Sequence, residues 1–88
     1  KFRFDKCFIG ANGVHHTYGL TTPDTEEAIL KECAINNSRK AYVLADDSKF
    51  GEISTIKFSD INKCVIITNE KPKDNTYDKK TDIKVVDI

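Results

Sequence analysis

The apolar positions fall into short runs separated by polar and glycine-rich stretches, a rhythm of small buried elements. Lys6-Cys7-Phe8-Ile9-Gly10 is one such run, ending in glycine, and predicts a buried strand. Gly10-Ala11-Asn12-Gly13 then makes a turn, and a loop rich in His, Thr, Tyr and Gly runs on to Pro23. Two turn signals so close together imply backbone exposed for contact. Asp24 through Ser38 predicts a helix, capped either by Thr22 ahead of Pro23 or by Asp24 in a capping box with Glu27. Ile29, Leu30, Cys33 and Ala34 share one face at helical spacing, and Ala28 and Ile35 widen it enough to pack on a sheet.

Ala41-Tyr42-Val43-Leu44-Ala45 is a second apolar run, closed abruptly by Asp46 and Asp47. Continuous apolarity predicts a strand buried on both faces, as in parallel sheets. Ser54 to Phe58 alternates enough for a short strand, Ser59-Asp60-Ile61 suggests a single helical turn, and Cys64-Val65-Ile66-Ile67-Thr68 predicts a third core strand. Glu70 to Thr81 is polar and lysine-rich, a solvated connection with low helical potential, and Ile83 to Ile88 closes the chain as an edge strand. This order fits an α/β layer architecture with a mostly parallel sheet.

Composition narrows the class of function. Fourteen Lys and Arg balance fourteen Asp and Glu, so the formal net charge is zero and this segment has little claim to bind nucleic acid. A hydrophobic fraction of 39% suits a globular chain, and no apolar run approaches the roughly 18 residues of a membrane helix, so no membrane partner is expected. Cys7, Cys33 and Cys64 form no Cys-x-x-Cys pair and sit in apolar stretches, which predicts small buried hydrophobes in a reducing cytoplasm. His15 and His16 are adjacent rather than spaced as ligands, so they are expected to be loop residues, with no metal and no cofactor. No signal peptide opens the chain and no Met occurs in it, so the 88 residues are expected to be one portion of a longer cytoplasmic protein.

In open α/β sheets ligands bind at the carboxyl ends of the strands. Two segments fall there: Gly10-Ala11-Asn12-Gly13 after the first strand, and Asp46-Asp47-Ser48-Lys49-Phe50-Gly51 after the second. Parallel strands bring both to one edge. Glycines let backbone N–H groups approach a phosphate, Lys49 supplies a compact positive charge, and Asn12, Asp46 and Asp47 offer partners for hydroxyls. Glu27, in the first turn of the helix, is a further hydroxyl acceptor or simply a capping partner. Each residue also has a structural reading as a turn glycine, strand-end acid or solvated lysine.

Phe8-Ile9-Gly10-Ala11-Asn12-Gly13, Gly19-Leu20-Thr21-Thr22-Pro23-Asp24 with Glu27-Ala28, and Val43-Leu44-Ala45-Asp46-Asp47-Ser48-Lys49-Phe50-Gly51 occur in this order and spacing. The series closely resembles the C-terminal effector domain of DeoR-family transcriptional repressors over residues 5–69, and Ile66-Ile67-Thr68-Asn69 extends it where family members usually end in Thr-Asp. Asn12 stands where Ser is frequent. The resemblance implies part of a domain similar to ribose-5-phosphate isomerase, glucosamine-6-phosphate isomerase and the CoA transferases. It implies a non-enzymatic sensor of a phosphorylated sugar, in a repressor whose winged helix-turn-helix and first half of the sensor lie outside these residues. DNA contact then belongs to that missing part, and the whole repressor is expected to be a homo-oligomer. Carried over, Gly10, Ala11, Asn12 and Gly13 form one pocket loop, Glu27 contacts the sugar, and Asp46, Asp47, Ser48 and Gly51 surround the ligand-binding Lys49. The rival class is a sugar-phosphate isomerase of the same fold, with Asp46 or Asp47 as general base. No nucleophile–base pair is evident in the sequence. A receiver domain phosphorylated on Asp46 needs an acidic pair after the first strand, where Gly10-Ala11-Asn12 stands.

Overall fold

A computed structural model of the protein describes residues 3–87. The main sheet holds four parallel strands in the order β1 (Phe4–Gly10), β4 (Ser38–Leu44), β6 (Val65–Thr68) and β7 (Ile83–Val85). A second, antiparallel sheet joins β2 (Gly13–His15), β3 (Gly19–Thr22) and β5 (Ile56–Ser59). Helix α1 (Thr25–Asn36) links β3 to β4, and a short helix α2 (Thr76–Lys80) links β6 to β7. Val14, Leu20, Val43 and Ile66 are completely buried where the two sheets and α1 meet. The α/β class with a mostly parallel sheet is therefore observed.

Several elements differ from their sequence expectation for identifiable reasons. The predicted loop before Pro23 folds into the β2–β3 hairpin, whose turn ends at Gly19 with φ +85°. Val14 and Leu20 are its apolar anchors, too few for period-two alternation to stand out. Helix α1 begins after Asp24, whose carboxylate accepts hydrogen bonds from Glu26 N at 2.8 Å and Glu27 N at 3.3 Å. That selects Asp24 over Thr22 as the cap. The face of α1 turned inward is not the one its most apolar residues predict. Ala28 and Ile35 are buried, while Ile29 and Leu30 are 62% and 69% exposed. The inward stripe is narrow and includes Lys31, whose ammonium is drawn in by a backbone carbonyl.

The Glu70–Thr81 connection is not wholly irregular. Tyr77 is buried and anchors α2 within the lysine-rich stretch, and Asp78 pairs with Lys71 at 3.2 Å. The single helical turn lies at Ile61–Lys63, two residues later than expected, with Ile61 as its buried side chain. β7 ends at Val85, and the expected continuation to Ile88 lies partly outside the described residues. β4 is buried on one face only, since Leu44 is 49% exposed and no described element covers its side of the sheet. Of the cysteines only Cys64 is buried; Cys7 is half-buried and Cys33 is exposed on α1. Cys33 was expected inside because it lies on the apolar face that α1 turns outward.

Candidate functional site

The parallel register aligns Gly10 with Leu44 and Leu44 with Ile67, so β1, β4 and β6 end level at one edge. The segments after them emerge side by side. Gly51 N donates to Val14 O at 2.8 Å, and Val14 and Phe50 form a parallel bridge, which joins the Asp46–Gly51 segment to the chain just past Gly13. Gly51 has φ +87°, a left-handed conformation that favours glycine.

Asp47–Lys49 forms one 3₁₀ turn capped by Asp46. The Asp46 carboxylate accepts from Ser48 N at 2.9 Å and from the Ser48 hydroxyl. These hydrogen bonds, with a smaller contribution from the nearby Lys49 charge, hold its carboxyl below the ordinary range. Asp47 is tied across the edge to Asn69. Its N–H donates to Asn69 Oδ1 at 2.8 Å, and Asn69 Nδ2 donates to the Asp47 carboxylate at 2.9 Å. An amide can serve both ends of this pair, whereas a carboxylate at position 69 has no donor to return. Asn69, to which the sequence reading gave no role, therefore positions the turn. Lys49 is half-buried, and among the described residues its ammonium has no hydrogen-bond or ion-pair partner.

The first segment is more internally committed. Ala11 is buried, Asn12 N donates to Thr21 O at 3.0 Å, and the Asn12 side-chain oxygen accepts from the Thr22 hydroxyl at 3.3 Å. Gly13 is buried where a Cβ would overlap the Glu52 carbonyl and the Thr21 hydroxyl, so its bareness serves packing within the chain. Gly10, by contrast, is exposed with open space where its Cβ would be. Its carbonyl accepts from Lys31 Nζ at 2.8 Å, and that ammonium also lies 3.4 Å from the Glu27 carboxylate and 5.4 Å from the centre of the Phe58 ring. Glu27 thus reaches the strand edge through Lys31 rather than closing a capping box. A lysine in the middle of an apolar helical run, four residues after Glu27, was the signal for this residue.

Beside the Asp46–Gly51 turn opens a cavity of about 410 Å³ between Phe50, Tyr77, His15, His16 and the Lys71–Asp74 loop, with Asp47 and Gly51 on its wall. The Tyr77 hydroxyl donates to Val14 O at 3.2 Å, and burial pushes its phenol up. His15 Nδ1 accepts from Thr17 N at 3.0 Å and Tyr18 N at 3.1 Å. Desolvation, then His16 and Lys80, lower its pKa below the ordinary 6.5. His16 faces Asp74 at 3.9 Å, and its Nδ1 lies 2.8 Å from the Thr17 hydroxyl, a contact between neighbours on an exposed turn. His16 lies in the hairpin turn, as expected of a loop residue, whereas His15 is the last residue of β2; both line this cavity. Among the described residues no group of three His, Cys, Asp or Glu side chains is disposed to hold a metal ion.

The edge therefore presents an unpaired lysine, carboxylates and amides held by short hydrogen bonds, and an aromatic-walled cleft. Such a set suits holding a polar anion more than transforming it. The profile described as the DeoR C terminal sensor domain matches residues 1–71. The HTH-type transcriptional regulator FruR of Bacillus subtilis is 53% identical over 98% of this chain and 35% of its own length. The regulator IolR of the same organism is 31% identical over 88% of the chain and 31% of its own. The lactose phosphotransferase system repressor of Staphylococcus aureus is 30% identical over 99% of the chain, which again spans 35% of that relative. These relatives are named as regulators and not as enzymes, and the chain belongs to the DeoR C-terminal sensor domain family, a regulatory domain of transcriptional regulators.

Proposed function

We propose that this domain senses a phosphorylated sugar at the carboxyl edge of its parallel sheet and thereby controls a repressor of a sugar-utilisation operon. The observation that carries the reading is the unpaired Lys49 ammonium on a turn fixed by Asp46, Asn69 and the Gly51–Val14 hydrogen bond. Lys49 takes the phosphate as a compact charge, a contact worth about 1.5–3 kcal/mol when hydrogen-bonded. Asp46, Asp47, Asn12 and Glu27 meet sugar hydroxyls, while Gly10, Ala11, Gly13, Ser48 and Gly51 shape the backbone around them. A relative named for a phosphotransferase system supports a phosphorylated ligand, since such systems deliver sugars as phosphates.

The whole protein acts in the cytoplasm as a homo-oligomer, and its DNA contact lies outside these residues. Ligand binding shifts DNA occupancy only through differential affinity for two quaternary states. No turnover is required. Titration of the whole protein with phosphorylated sugars, followed by operator release and thermal shift, tests the reading. At least one sugar phosphate is expected to do both, with the response lost in Lys49→Ala. If no sugar phosphate stabilises the protein and Lys49→Ala behaves as wild type, the reading fails.

A further inference from the structure

The carbonyl of Val14 sits where three parts of the chain meet. Gly51 N, at the end of the Asp46–Gly51 turn, donates to it at 2.8 Å, and the Tyr77 hydroxyl of α2 donates to it at 3.2 Å. A carbonyl oxygen has two lone pairs, so one atom of β2 can fasten the turn and the helix together. The Tyr77 ring makes a second contact with the turn. It meets the Phe50 ring edge-on, with centroids 5.1 Å apart and planes at 81°. Phe50 stands between Lys49 and Gly51, and its backbone bridges Val14. Burial raises the pKa of the Tyr77 phenol, and the His16 and Gly51 backbones lie near enough to oppose that rise.

Tyr77 is itself firmly placed. It is buried, and α2 is pinned to the same hairpin by Lys80 Nζ, which donates to His16 O at 2.8 Å. The His16 ring adds an edge-on contact with Tyr77, centroids 5.4 Å apart. In the turn, Asp47 is tied to Asn69, while Asp46 bonds Ser48 within the turn itself. The half that carries Lys49 meets the rest of the chain at Val14 and at the Tyr77 ring. We infer that Tyr77 is a positioning residue for effector binding: its hydroxyl and ring hold Gly51 and Phe50 in place and so fix the backbone that presents Lys49. A ligand drawn to Lys49 then binds a turn already ordered, and less conformational freedom is lost. This role rests on the effector reading and adds to it a support that lies beyond residues 1–71, the part matched by the sensor-domain profile.

Calorimetric titration of the whole protein and of Tyr77→Phe with a panel of hexose and pentose phosphates tests it. Phe keeps the ring against Phe50 and removes only the hydroxyl. The fold is therefore expected to be retained by circular dichroism, and the Kd to rise about three- to tenfold. A spectroscopic readout separates positioning from bulk stability. In the whole protein labelled with fluorotyrosine, the ¹⁹F resonance missing from Tyr77→Phe reports Tyr77, and it is expected to shift along the calorimetric binding curve. An unchanged Kd in Tyr77→Phe, or a resonance that stays still while the ligand binds, overturns the role and leaves the effector reading standing. Binding by no sugar phosphate overturns both.

Discussion

Lys31 is the side chain on which the candidate edge most depends for its shape. Its ammonium satisfies the Gly10 carbonyl at 2.8 Å and faces Glu27 at 3.4 Å, with only 17% of the side chain exposed. Lys31→Met keeps the stem but removes the hydrogen bond to the exposed Gly10 carbonyl, so unfolding free energy is expected to fall by about 0.5–1.5 kcal/mol in denaturant titration. The two glycines of the first segment separate in the same kind of test. A Cβ at Gly13 meets fixed backbone at Glu52, so Gly13→Ala is expected to destabilise by about 2 kcal/mol or more. Gly10→Ala has open space here, so a loss of effector response without a loss of stability assigns that position to the ligand. His15 adds a pH signature. Its neutral Nδ1 accepts two backbone hydrogen bonds and its pKa lies below 6.5, so the unfolded chain binds the proton more readily. Its contribution to the turn is complete above pH 6.5 and is lost as pH falls through the lowered folded pKa. NMR titration of the ring and of the Thr17 and Tyr18 amides checks this; a His15 pKa at or above 6.5 refutes it.

At the scale of elements, the start of α1 offers the cleanest test, because Asp24 carries its cap alone. Asp24→Ala is expected to cost about 1 kcal/mol, read as a lower denaturation midpoint, with the fold retained by circular dichroism. The three long apolar runs that became β1, β4 and β6 were legible in the sequence because parallel strands read as continuous hydrophobicity. The hairpin β2–β3 and helix α2 were not, since each rests on one or two buried side chains, Val14, Leu20 and Tyr77, set among polar residues. The orientation of α1 is hidden in the sequence for a related reason. Hydrophobicity marks Ile29 and Leu30, but packing on the sheet is decided by Ala28, Ile35 and the carbonyl that holds Lys31. Of the candidate site, the convergence of Gly10–Gly13 with Asp46–Gly51 followed from strand-end logic alone. Asn69, Lys31 and the cleft beside Tyr77 needed the three-dimensional register, because their partners lie 21 to 63 residues away.

For the molecule as a whole, one face of the parallel sheet is covered, no described element covers the other, and the edge at the strand ends carries Lys49, which has no ion-pair partner among the described residues. Lys49 is half-buried and has no hydrogen-bond or ion-pair partner among the described residues, so Lys49→Ala is expected to keep the fold and to report on binding. Isothermal titration of the whole protein and of Lys49→Ala with a panel of hexose and pentose phosphates is therefore the most direct measurement of sugar-phosphate sensing. At least one phosphate is expected to bind the parent protein, its unphosphorylated sugar to bind much more weakly, and Lys49→Ala to lose about tenfold or more in affinity. Equal affinity in Lys49→Ala, or no binding by any sugar phosphate, contradicts it.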